Sequence, residues 1–85
     1  MKEFNYTITD PEGIHARPAG LFVKQAAGFP CSVTIVKDGK EADAKRILGV
    51  MGLGVKQGQE ITIRCDGDQE DAAAEALENF FKENL

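Results

Sequence analysis

The 85-residue sequence predicts an α+β fold: an open-faced β-sandwich of order βαββαβα, a four-stranded antiparallel sheet with three helices on one face. Three observations predict it. Apolar and polar residues alternate around Phe4, Tyr6 and Ile8, around Cys31, Val33 and Ile35, and around Ile61, Ile63 and Cys65, as half-buried strands do. Two other stretches carry apolar residues at helical spacing, and an Asp-Gly pair marks a tight hairpin. Strands with a single apolar face need covering on one side only, so the helices share a side and the other stays wet.

In chain order, residues 3–9 form the first strand, broken by Asp10-Pro11-Glu12-Gly13. Residues 16–27 form a helix with an apolar stripe of Ala19, Phe22, Val23 and Ala26. Pro18 lies in its first turn, where a missing N–H costs nothing, and Gly28 is placed to cap its end. Residues 31–37 form the second strand. Asp38-Gly39 suits a type I′ turn into a short third strand at about 40–43. A short second helix follows at 45–52, with Asp43 or Ala44 near its start and Gly52 and Gly54 to stop it. The fourth strand is 60–66. The last helix, about 69–83, places Ala73, Ala76, Leu77, Phe80 and Phe81 along one face.

The length implies one domain, residues 1–85, with little room for a deep cavity. Net charge is −4, and no basic run or aromatic–basic ladder is present, which argues against a nucleic-acid partner. No window approaches the ~18 apolar residues of a membrane span, and Met1 to Tyr6 do not read as a secretory signal. The expected setting is therefore the cytoplasm, without membrane insertion. His15, Cys31 and Cys65 match no zinc spacing, so no metal site is expected, and the cysteines read as small core residues.

The chemistry concentrates in Gly13-Ile14-His15-Ala16-Arg17-Pro18-Ala19. The only His of the chain sits immediately before a helix, whose N-terminus offers unpaired N–H groups and a partial positive charge. Phosphate is the usual guest of such an end. The Ala16 backbone belongs to that end, and the Arg17 guanidinium adds a fork for phosphate oxygens. A neutral imidazole nitrogen is a competent nucleophile toward phosphorus. A lone His before a helix is also a common capping or surface residue, and the residue types alone leave both readings standing.

That seven-residue string resembles the active-site signature of the histidine-containing phosphocarrier (HPr) family of the phosphoenolpyruvate-dependent sugar phosphotransferase system. The resemblance continues through Lys45-Arg46-Ile47-Leu48-Gly49-Val50-Met51-Gly52-Leu53-Gly54-Val55, through Gly58 and Glu60-Ile61-Thr62-Ile63, and through the acidic, Ala-rich last helix. It implies a phosphoryl carrier rather than an enzyme, with a transient phosphohistidine and no cofactor. His15 would take the group on Nδ1 from phosphorylated enzyme I, Arg17 would neutralise it, and sugar-specific EIIA domains would receive it. A monomer is expected. The nitrogen-related branch is the alternative, although Ile47 to Met51 resemble the sugar branch more. A purely regulatory docking module is a third reading, weakened because His15 is retained.

The resemblance also implies a partner-docking surface near the active-site helix, comprising Gly20, Lys24, Lys45, Ile47, Leu48 and Met51. Ile47, Leu48, Val50, Met51 and Leu53 are more apolar residues than one buried stripe needs. Val50 and Leu53, with Ile47 as a further candidate, are expected to fill the core. Lys24 and Lys45 are expected to meet acidic partner groups.

Two positions depart from the family. Arg46 stands where many members carry a serine phosphorylated by an ATP-dependent kinase, and Ser32 is the chain's only serine. Glu12 replaces a small hydroxyl or amide residue, bringing a negative charge near His15 whose effect the sequence leaves open. Cys31 and Cys65 share parity with core residues on strands that this fold makes neighbours. They are expected to lie close without a disulfide, given a reducing compartment.

Overall fold

The computed structural model describes all residues, 1–85. Its elements are β1 (Lys2–Thr7), α1 (Ala16–Ala27), β2 (Ser32–Lys37), β3 (Lys40–Asp43), α2 (Ile47–Gly52), β4 (Glu60–Asp66) and α3 (Glu70–Asn84). The strands form one antiparallel sheet in the order β1-β4-β2-β3. This is the expected α+β open-faced sandwich.

β4 is central and shows the physics most clearly. Ile61, Ile63 and Cys65 are buried beneath the helices, and Val33 and Ile35 of β2 lie on the same face. α3 covers β1 and β4 with Ala73, Leu77, Phe80 and Phe81. The Phe81 ring packs 5.0 Å from Phe22 of α1 and 5.6 Å from Tyr6 of β1, welding both helices to the sheet. The opposite face is polar. There Arg64 Nε meets Glu3 at 2.9 Å and its Nη1 meets Glu41 at 3.6 Å, while the Thr62 hydroxyl donates to Asn5 at 2.7 Å.

Asp38 and Gly39 have φ of 50° and 78°, the paired left-handed geometry of a type I′ turn. Other local expectations shift. Gly28 ends α1 in right-handed geometry, with its N–H on the Gln25 carbonyl at 3.1 Å, so no left-handed cap is used. Ile8 is buried but lies beyond β1, its N–H on the Gln59 carbonyl at 3.0 Å. The second helix begins at Ile47 rather than 45. Asp43 is the reason: its carboxylate accepts the Lys45 N–H at 2.9 Å and its carbonyl the Arg46 N–H at 3.0 Å, closing a separate turn first. Gly54, at φ 62°, stops α2, whereas Gly52 is its last residue. No helix is long and apolar enough to cross a membrane.

Candidate functional site

The segment between β1 and α1 is held from both sides by distant backbone. The Thr9 and Asp10 N–H groups donate to the Leu85 carbonyl at 2.6 and 3.0 Å. The Ile14 N–H donates to the Val55 carbonyl at 3.0 Å. Between these anchors the chain turns, with the Gly13 N–H on the Asp10 carbonyl at 2.9 Å and the Glu12 N–H on Asp10 Oδ1 at 2.8 Å. Gly13 has φ +68°, and a Cβ there would stand 2.3 Å from the Val55 carbonyl oxygen. Both backbone and space therefore require glycine.

His15 is the N-cap of α1, with extended backbone, and its carbonyl accepts the Ala19 N–H at 3.0 Å. Its side chain makes no capping bond, so the ring is left to other partners. The Ala16 and Arg17 N–H groups begin the helix and Pro18 has none to offer. The first turn of α1 holds no acid, unlike that of α3, which carries Glu70 and Asp71. The positive end of α1 is thus open to an anion from outside. The exposed Arg17 guanidinium stands two residues after His15 on this first turn.

Two carboxylates approach the imidazole at one nitrogen. His15 Nε2 lies 3.5 Å from Asp10 Oδ2 and 3.8 Å from Glu12 Oε2. A neutral imidazole carries one N–H and one lone pair. Carboxylates facing Nε2 favour the proton there, leaving the lone pair on Nδ1. The charge that Glu12 introduces thus faces the ring's distal nitrogen. Asp10 joins it, a contact that sequence reasoning missed by treating Asp10 only as a turn residue. The Asp-Pro-Glu-Gly turn signal was legible; its approach to a ring five residues on was not.

The docking residues divide. Leu48 is 84% exposed, Ile47 41% and Met51 37%, so Ile47 is not a core residue. Val50 is buried and Leu53 half-buried against the core, as expected. Leu21 of α1, 50% exposed, is a further large apolar residue at the surface that sequence reasoning passed over. Gly20 is half-buried, and a Cβ there would lie 3.7 Å from Ile47 Cδ1, so it marks where α1 meets α2. Lys24 is exposed. Lys45 is half-buried and donates through Nζ to the Phe29 carbonyl at 2.8 Å, tying the segment after α1 to the one before α2. Arg46 is exposed at the N-cap of α2, with Nε 3.9 Å from Asp43.

Comparison with known proteins bears on the family and the fold. The family described as the PTS HPr component phosphorylation site matches residues 2–83. A phosphocarrier protein HPr of Lysinibacillus sphaericus is 45% identical over 83 residues, covering 98% of this chain and 94% of the relative. Two solved structures superpose with TM-scores of 0.94. One is the histidine-containing phosphocarrier protein of a Mycoplasma, 38% identical and covering 96% of this chain and 93% of that one. The other, HPr-C-His from Thermoanaerobacter tengcongensis, is 41% identical and covers 98% and 93%.

Proposed function

Because the chain belongs to the histidine-containing phosphocarrier (HPr) family of the phosphotransferase system, we propose that it accepts a phosphoryl group on His15 from phosphorylated enzyme I and passes it to sugar-specific EIIA domains. The observation that carries this reading is the pairing of both carboxylates with Nε2, which leaves Nδ1 as the nucleophile beside an open helix N-terminus.

Nδ1 attacks phosphorus as the bond from phosphorus to the donor breaks. The ring keeps its Nε2 proton and gains positive charge, which Asp10 and Glu12 face. The incoming group brings negative charge to the Ala16 and Arg17 N–H groups and the Arg17 guanidinium. The reverse step on EIIA breaks the Nδ1–phosphorus bond and returns the lone pair. The protein ends unchanged, as a carrier without cofactor. Docking falls to the exposed apolar group of Ile47, Leu48 and Met51, with Leu21 beside Gly20 and Lys24 on α1. Arg46 offers no hydroxyl to an ATP-dependent kinase, so the serine switch is absent at this position.

Incubation with phosphoenolpyruvate and enzyme I tests the reading. Acid-labile, base-stable label on the wild type and none on His15→Ala supports it. No label on the wild type, or label surviving in His15→Ala, rejects it.

A further inference from the structure

The sequence, read through its cysteines and histidine, offers no metal site. The structure adds two carboxylates to the histidine as candidate donors. Asp10, Glu12 and His15 bring one ligand atom each to within 4.8 Å of one another, with Nε2 at 3.5 Å from Asp10 Oδ2 and 3.8 Å from Glu12 Oε2. The geometry points to a site for a divalent transition cation of zinc type on these three atoms, whose occupancy withdraws His15 from phosphoryl transfer.

The spacing is close to what such a cation needs. Ligands bound to zinc at ~2.1 Å in tetrahedral array stand about 3.4 Å apart. The His15–Asp10 pair is already there. Glu12 is well exposed and free to swing in. One of the three ligands is held before any ion arrives. Asp10 is held by its N–H on the Leu85 carbonyl, its carbonyl on the Gly13 N–H, and its Oδ1 on the Glu12 N–H, which leaves Oδ2 directed at the ring. The His15 backbone is placed as the helix N-cap, and its ring makes no capping bond that an ion would have to break. The only ion-pair partner of either carboxylate is His15, so no Lys or Arg competes for them. One imidazole with two carboxylates suits zinc and its neighbours, while magnesium and calcium favour all-oxygen shells. Three protein ligands leave the fourth position to water.

The effect on phosphoryl transfer, which rests on the function proposed above, follows from the ring's single lone pair. A cation on Nε2 takes that lone pair and forces the proton onto Nδ1. Nδ1–H is not a nucleophile, so the metal-bound protein does not charge.

Zinc alone is the probe. Titrated into the unphosphorylated protein and followed by calorimetry and by the His15 ring signals, it binds one to one and perturbs Nε2. The double variant Asp10→Asn/Glu12→Gln weakens it by ~10-fold or more. Glu12→Gln alone, at an exposed side chain, weakens it in the same direction with no risk to the fold. Charging by enzyme I is then compared with and without zinc within each protein, first at a concentration near the wild type's dissociation constant and then at saturation: near that constant, zinc slows the wild type and slows the double variant far less. No one-to-one binding, binding that survives both variants, or undiminished charging at saturation overturns the inference. Failure to charge without zinc rejects the phosphocarrier reading instead and leaves the binding result to stand by itself.

Discussion

Asp10 Oδ2 lies 3.5 Å from His15 Nε2, while Oδ1 of the same carboxylate holds the Glu12 amide at 2.8 Å. One side chain therefore shapes the turn and faces the ring across it. That dual use separates the two imidazole nitrogens, one turned to negative charge and one left for chemistry.

Asp10→Asn should keep the fold and slow charging of His15. A unit charge at this distance in a solvated site is worth ~1 kcal/mol, about fivefold in rate. Glu12→Gln, more distant and more exposed, should have the smaller effect. Single-turnover kinetics with enzyme I measure both, and an unchanged rate in Asp10→Asn removes this carboxylate from the mechanism.

Gly13→Ala should destabilise the protein by more than the ~1–2 kcal/mol that left-handed backbone alone costs a residue with a Cβ, because the methyl group meets the Val55 carbonyl at 2.3 Å. Gly39→Ala is the control. Its φ is also positive, at +78°, but nothing lies within 4 Å of the new Cβ. Urea denaturation should rank Gly13→Ala well below Gly39→Ala, and equal stabilities would show that the loop yields.

Burial pushes the Cys65 thiol up to about 11, with the neighbouring Cys31 adding to the shift. Both cysteines are free and buried. Thiol reagents at pH 8 should leave both unmodified until the chain is unfolded. The linkage has a definite sign. The unfolded thiol loses its proton near 9 and the folded one near 11, so the unfolded state binds fewer protons between these values. Stability should fall as pH rises through that window. Cys65→Ser should lessen this part of the slope, and a slope identical in wild type and variant would contradict the assignment.

Leu48→Ala should change stability by less than ~0.5 kcal/mol, since the side chain is 84% exposed and packs on little. It should nonetheless raise the KM of enzyme I for this protein severalfold while leaving kcat nearly intact, as loss of docking area does. A kcat defect with unchanged KM would move Leu48 out of the docking surface.

What the sequence carried and what it did not have separate physical origins. Ile61, Ile63 and Cys65 declare β4 because alternation is local, and Ala73, Leu77, Phe80 and Phe81 declare α3 for the same reason. Asp38-Gly39 declares its turn because only those residue types accept its dihedral angles readily. His15 stood out through its place before a helix and through its neighbours. The start of α2 was misplaced because the Asp43 side chain closes a turn that helical spacing does not register. The Lys45 bond to the Phe29 carbonyl and the approach of Ile47 to Gly20 were not legible, because both join segments far apart in sequence. Asp10 escaped notice because its position depends on Leu85, 75 residues further along the chain, and on a turn held by Val55.

The most direct measurement of the central claim is two-bond ¹H–¹⁵N NMR of His15, with ³¹P detection, before and after charging by phosphoenolpyruvate and enzyme I. The free protein should show the Nε2–H tautomer, and the charged one phosphorus bonded to Nδ1. Phosphorus on Nε2, the nitrogen that Asp10 and Glu12 face, would contradict that claim.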